Sequence, residues 1–342
     1  MKINLSFRTR QILLRVGVAL LILVVLAAAV GIFWFAWLQR YVIYTRDKGA
    51  VIDRHLSATI AEGPEAIPDA KETIPISYEI EEEKEVSTDE LKQMLGFYAD
   101  EEVLSSDMAM VQSQAKLIEA GTPVMLDVKD AKGRFFYSSA LNSQRSSAID
   151  PTTMDALIRE LKGKGAYLIA RLPAFRDYHF GLTNTDNGLF VASGAYLWAD
   201  DDYCYWLDPS KEGTLMYLVQ IATELKNLGF DEVVFDQFHF PDTDNLKFSG
   251  DKTEALNTAA KTLLGSCAGG NFAVSFVKRT EGLLLPQGRG RLYITDALAA
   301  DAANIAAASG VADPAINLVF LTPFHDTRFN EYSVLRPIES AE

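Results

Sequence analysis

The most regular pattern along this chain is an alternation of short apolar runs with longer amphipathic stretches, from about residue 95 to residue 321. Leu95–Ala99, Val124–Val128, Tyr167–Arg171, Glu232–Asp236, Phe272–Phe276, Arg291–Thr295 and Ile316–Leu321 are rich in β-branched and aromatic residues and read as buried strands. Between them the apolar spacing is helical. Pro151–Lys164 places Met154, Leu157, Ile158 and Leu161 on one face, with Pro151 in the first turn. Asp107–Ala120 ends at Gly121 and Lys211–Leu228 at Gly229, both residues suited to a helix C-cap. Asp251–Leu264 and the alanine-rich Ala299–Ser309 complete the helices. Strands alternating with helices predict a parallel sheet with crossover helices, here an α/β chain of the (β/α)8 TIM-barrel type. An eighth strand is expected near Gly282–Leu285, or else the barrel is incomplete.

A different pattern occupies the N-terminus. Residues 16–38, Val16 to Leu38, carry no charge. At about 1.5 Å per residue they would span the ~30 Å hydrocarbon core of a bilayer, with Trp34 and Trp37 near one interface. Lys2, Arg8, Arg10 and Arg15 precede this run, and Arg40, Arg46 and Lys48 follow it together with Asp47. The richer basic side faces the cytoplasm by the positive-inside rule. The expected organisation is a cytoplasmic N-terminus (1–15), an uncleaved transmembrane anchor (16–38), a stalk (39–90) and an extracytoplasmic barrel (91–342). A cleaved signal peptide fits less well, because the apolar run continues past the small residues Ala27–Ala29. The stalk contains Pro64, Pro68, Pro75 and an acidic run from Glu79 to Glu85, too polar to bury a core. A short helix could continue from the anchor to about His55.

Charge narrows the choice of partners. The chain of 342 residues has a formal net charge of −14, and its first forty residues hold five basic groups and no acid, leaving −19 for the remainder. A body this acidic repels nucleic acid and anionic surfaces, which argues against nucleic-acid binding. Cys204 and Cys267 are the only cysteines and fit no zinc-ligand spacing. No GxSxG elbow or phosphate-binding loop occurs, and Gly288-Arg289-Gly290 lacks the third glycine of a dinucleotide fingerprint. No cofactor is expected.

The chemistry concentrates at strand ends. Gly229-Phe230-Asp231-Glu232-Val233-Val234-Phe235-Asp236-Gln237-Phe238-His239-Phe240-Pro241 ends a helix, runs through a strand and finishes on a carboxylate, a histidine and a proline. Barrel active sites lie at the C-terminal ends of strands, so Asp236 is the first catalytic candidate. Period two puts Glu232, Val234 and Asp236 on one face, with Glu232 two layers lower.

Four segments together resemble a bacterial family of glycoside-hydrolase-type (β/α)8 barrels, secreted or membrane-anchored. They are Val124-Met125-Leu126-Asp127-Val128-Lys129-Asp130, Ala170-Arg171-Leu172-Pro173-Ala174-Phe175-Arg176-Asp177, Trp206-Leu207-Asp208-Pro209 and Phe235-Asp236-Gln237-Phe238-His239-Phe240-Pro241. They match, in order, that family's DVKD, ARxxxFKD, WxDP and FDxxxFP segments. Gln237 and His239 stand where the family usually has Tyr and Arg, and Thr322-Pro323-Phe324-His325-Asp326 only partly matches its last-strand segment. The resemblance implies cleavage of glycosidic bonds. Family 18 chitinases share the GFD opening but place their acid Glu where this chain has Phe238, so their mechanism is not expected here.

Glycoside hydrolysis usually needs two carboxyl groups across the scissile bond. Asp127 and Asp296, each at a strand end, are the expected partners of Asp236, although Asp127 could instead be ion-paired and Asp296 could cap a helix. Arg171, Asp177, Trp198, Trp206, Asp208, His239 and His325 are the expected substrate contacts. The long connection from Pro173 to Asp208 is rich in aromatics suited to sugar faces, and its Asp200, Asp201 and Asp202 could accept hydroxyl hydrogen bonds. The expected function is hydrolysis of a cell-surface or extracellular polysaccharide. The alternative is a catalytically inactive barrel that binds glycan or an envelope partner. A metal site built from Asp236 and the later histidines is a third reading, unsupported by any HxxH or HExxH spacing.

Overall fold

Eight parallel strands close into a barrel in the computed structural model. The structure describes residues 42–45, 49–52, 90–141, 146–267, 270–323 and 325–338. The chain divides into two units, Met1–Glu79 and Ile80–Glu342. In the first, β1 (Val42–Thr45) and β2 (Gly49–Ile52) form an antiparallel hairpin with Val42 opposite Ile52. This replaces the helix expected to run on to His55, in keeping with the β-branched residues on both strands. Among the described residues no helix is long and apolar enough to cross a membrane. The expected anchor at 16–38 and most of the expected stalk lie outside the described residues.

The barrel strands are β3 (Leu95–Ala99), β4 (Pro123–Asp127), β5 (Tyr167–Pro173), β6 (Glu232–Asp236), β7 (Ala273–Val277), β8 (Leu292–Ile294), β9 (Leu318–Leu321) and β10 (Ser333–Pro337). Seven were legible in the sequence. The eighth is β10, not the stretch near Gly282–Leu285, and it closes the barrel by pairing with both β9 and β3. Its five residues include Arg336 and Pro337, which masked it as a strand.

Alternate residues of each strand face inward. Met125, Ile169, Val234, Val277, Tyr293, Val319 and Leu335 pack as the barrel interior. The opposite faces pack against the helices, chiefly Pro151–Gly163, Glu212–Leu228 and Lys252–Cys267. The helix Glu212–Leu228 stops at Gly229, whose φ of 96° is left-handed backbone that glycine adopts without steric cost, and its amide donates to the Leu225 and Lys226 carbonyls. The turn feeds directly into β6. Two short helices follow β3, Glu101–Ser106 and Met108–Ala115, capped by Asp100 and Asp107; the second is the expected helix Asp107–Ala120, which ends early at Ala115 with Lys116 rather than Gly121 as its C-cap. The first starts immediately after β3, and this brings a carboxylate to the barrel mouth.

The lower end of the barrel is closed by a polar network. Glu232 is fully enclosed and accepts hydrogen bonds from Arg291, Ser275, Tyr293 and Tyr167. Arg291 also donates to the carbonyls of Lys92 and Ile316. A buried carboxylate is tolerable when its charge is paired and its lone pairs are filled, and both conditions hold here.

Candidate active site at the barrel mouth

The inward register that places Met125, Ile169, Val234 and Val277 in the core carries Asp127, Arg171, Asp236 and Arg279 to the next level up, at the C-terminal ends of their strands. β4 and β5 pair Asp127 with Arg171 directly, and β5 and β6 pair Pro173 with Asp236. Glu101, Asp127, Lys129, Arg171, Arg176, Asp236 and Gln237 are among the residues lining a cleft of about 140 Å³.

Two of its carboxylates are in unlike surroundings. Asp127 is gripped by Arg171, whose Nε and Nη2 donate to Oδ1 at 2.5 Å and Oδ2 at 2.9 Å, and it accepts a third bond from the Glu101 amide at 2.9 Å. Burial raises its pKa above the ordinary carboxylate value, with Arg171 and the Glu101 amide opposing only in part and Asp236 adding to the rise. Asp236 is held more loosely. One oxygen accepts from the Gln237 amide at 2.6 Å and lies 3.7 Å from Arg279 Nε. Gln237 has φ of 50°, a strained conformation for a side-chain-bearing residue directly after the candidate catalytic group.

Glu101 is a third carboxylate at the cleft and was not singled out from sequence. It sits in the first turn after β3, 3.9 Å from Arg134, with its side chain 46% exposed. Burial, followed by the charge of Asp130, raises its pKa, and Asp127 contributes further. A signal for it existed in the sequence: Asp100 ahead of Glu101 and Glu102 is an N-cap followed by an acidic first turn. Arg279, two residues beyond the end of β7, was also missed.

The other expected residues divide sharply. His239 sits beside the cleft residue Gln237, with Nε2 3.2 Å from Gln237 Oε1 and its ring packed edge-on against Trp206 at 5.0 Å. Its Nδ1 lies 2.7 Å from the Phe240 carbonyl, so that nitrogen carries the proton and the bare Nε2 accepts from the Gln237 side-chain amide with the amide turned to present its NH2 group. Burial lowers the His239 pKa, with Arg279 adding to that, so the ring stays neutral near pH 7. Trp206 is buried and donates from Nε1 to Asp200, and Trp198 packs against its edge.

Asp177, expected to contact substrate, is fully buried. It pairs with Lys129 at 2.6 Å, accepts from the Phe180 amide as a helix cap and accepts from the Tyr217 hydroxyl. Lys129 therefore ties the loop after β4 to the loop after β5 rather than pairing with Asp127 or Asp130. Asp208, also buried, accepts from the Ser210 amide and hydroxyl and shapes the turn before Glu212–Leu228.

Asp296 is exposed after β8, at φ of 60°, and is not among the residues lining the cleft. The short helix that follows takes no side-chain cap from it. His325 is exposed beyond β9. Asp200 and Asp202 are engaged by Arg176, each at 2.6 Å. Among the described residues no group of three or more His, Cys, Asp or Glu is placed to hold a metal ion, and no disulfide joins Cys204 and Cys267. Phe238, at the position of the chitinase acid, is fully buried between Phe175 and Phe276.

Residues 98–267 match the family described as "Putative glycosyl hydrolase domain". The resemblance carried by the strand-end segments is thus borne out: residues 98–267 are similar to a glycosyl-hydrolase-type domain, of which this chain is a divergent example. No curated protein matches the chain. Among solved structures, a hypothetical protein from Ruminiclostridium thermocellum is 23% identical, with 56% of this chain and 100% of that chain covered and a TM-score of 0.46. The GH20 exo-β-N-acetylglucosaminidase of Vibrio harveyi is 9% identical, with 67% and 41% covered and a TM-score of 0.47. The glycoside hydrolase domain of PelA from Pseudomonas aeruginosa is 13% identical, with 73% and 96% covered and a TM-score of 0.43.

Proposed function

We propose that this protein is a membrane-anchored, extracytoplasmic glycoside hydrolase that cleaves a cell-surface or extracellular polysaccharide. The observation that carries the reading is the convergence of Asp236, Asp127 and Glu101 on one cleft at the C-terminal ends of the strands. Asp236, loosely held and open to the cleft, is the carboxylate that attacks the anomeric carbon or activates water there. Glu101, half-exposed and raised in pKa, keeps a proton further up the pH scale and protonates the departing oxygen. Asp127 holds Arg171 in place, and the pair sets the electrostatic field around Asp236. Gln237 and the neutral His239 offer hydrogen bonds to sugar hydroxyls. The apolar run 16–38, with its basic leading side, supports the anchor and the outward orientation of the barrel.

The test is turnover of a panel of polysaccharides, peptidoglycan included, by the purified full-length chain beside Asp236→Asn. Hydrolysis abolished by the substitution is the expected result. Hydrolysis by neither protein, with glycan binding retained by both, would replace the enzyme with a glycan-binding barrel. Alkaline extraction of membranes, followed by protease treatment of intact cells, tests the anchor. Retention in the membrane and loss of the C-terminal domain outside are expected.

A further inference from the structure

The long connection between β5 and the helix Glu212–Leu228 holds a second concavity. Phe190, Tyr196, Trp198, Tyr203, Tyr205 and Asn245 are among the residues lining an open groove of about 760 Å³. It is built on a small β-excursion with bridges between Phe190 and Leu197 and between Ala199 and Tyr205. Tyr196 and Tyr203 are 66% and 79% exposed, far more than a packing role requires of an aromatic ring.

Tyr203 is also held in an unfavourable backbone state. Its φ is 58°, where glycine or asparagine is the usual occupant. Asp200 enforces this turn. Its backbone carbonyl accepts from the Tyr203 amide at 2.9 Å, and its Oδ1 accepts from the Asp202 and Cys204 amides at 3.0 and 2.9 Å. The chain thus places a large exposed phenol where a small residue would be easier to accommodate.

One ion pair links the lining of the groove to the lining of the cleft. Asp200 Oδ2 accepts from Arg176 Nε at 2.6 Å; Asp200 lines the groove and Arg176 lines the cleft with Asp236. Flat aromatic faces suit the apolar C–H faces of pyranose rings, while the Asn245 amide and the tyrosine hydroxyls suit sugar hydroxyls. Asp201 and Asp202 stand exposed beside the groove, and residues 41–342 carry a net charge of −19, so a polyanion is repelled.

We propose that this groove is a distal binding site for an uncharged polysaccharide chain whose neighbouring residues occupy the Asp236 cleft. The protein would then act on polymers in preference to short oligosaccharides. This rests on the glycosidase reading of the cleft.

Affinity electrophoresis of the full-length chain tests it, using gels that contain hydroxyethyl cellulose, arabinoxylan, galactomannan or glycol chitin as neutral probes and polygalacturonate as the anionic one. Asp236→Asn is run alone and combined with Tyr196→Ala and Tyr203→Ala. Retardation of Asp236→Asn by at least one neutral polymer, weakened about tenfold or more by the tyrosine substitutions, is the expected result. Retardation by none of the neutral polymers, retardation by polygalacturonate alone, or retardation unchanged by the tyrosine substitutions would each overturn the proposal. Because this assay needs no turnover, an inactive cleft and an unused groove give different results. Tyr203→Gly provides a second check. It relieves the left-handed strain, so it should melt at or above the wild-type temperature while binding polymer less well; unchanged binding would count against the groove.

Discussion

Arg171 grips both oxygens of Asp127, at 2.5 and 2.9 Å, on adjacent strands in direct register. Both side chains are largely buried, 16% and 14% exposed. The pair leaves the two carboxylates at the mouth unequally engaged. Asp127 accepts three hydrogen bonds, while Asp236 accepts one, from the Gln237 amide, and lies 3.7 Å from Arg279.

Arg171→Met should therefore destabilise the barrel by about 3 kcal/mol, because it leaves a buried carboxylate without its partner. The folded Asp127 pKa already lies above its unfolded value. A group raised on folding contributes stability at pH below its unfolded pKa, and that contribution is lost as pH rises through the folded pKa. Removing Arg171 raises the folded pKa further. The stability gap between variant and wild type should shrink from pH 7 towards pH 4, as read by denaturant unfolding at each pH. A gap independent of pH would show that Asp127 is not the group left exposed to the loss.

Glu101→Gln should lower kcat/KM by roughly 10²–10⁴-fold on a glycoside with a poor leaving group. On an aryl glycoside whose leaving group needs no proton the loss should be much smaller. The wild-type rate should fall as pH rises through the elevated Glu101 pKa, and this alkaline limb should vanish in the variant. Equal losses on both substrates would assign the acid elsewhere.

Arg291→Leu should cost about 3–5 kcal/mol, since it strands Glu232 in the closed lower end of the barrel. The site lies at the opposite end, so kcat/KM per folded molecule should stay within about twofold of wild type. Thermal unfolding beside active-site titration separates the two effects.

Gln237→Gly should relieve left-handed strain worth about 1 kcal/mol, partly offset by the greater freedom of glycine in the unfolded chain. Stability should hold or rise slightly. Activity should fall about tenfold or more, because the amide beside His239 Nε2 is lost from the cleft. A variant that is both unchanged in stability and fully active would remove Gln237 from the site.

Much of the arrangement was legible before any tertiary information. The β-branched run Glu232–Asp236, bounded by Gly229 and Pro241, identified both the strand and the residue at its mouth, since period two and strand-end position follow from local geometry. Trp206 and His239 were singled out and lie in contact. Glu101 was harder to see, although its cap signature was present, because nothing local says that a helix begun directly after β3 hangs its first turn over the cleft. β10 was missed because a short segment with an arginine and a proline has little strand character until two neighbours pair with it.

The sequence by itself determined the alternation of strands and helices, the strand ends where chemistry would gather and the apolar N-terminal run, because each depends on neighbours a few residues apart. Only the tertiary structure decided how the charges are shared. Arg171 with Asp127, Lys129 with Asp177, Arg291 with Glu232 and Arg176 with Asp200 are contacts between segments well separated in the chain. Which carboxylate is consumed by a cation depends on barrel register and loop packing, and at this cleft those contacts hold Asp236 and Glu101 more loosely than Asp127.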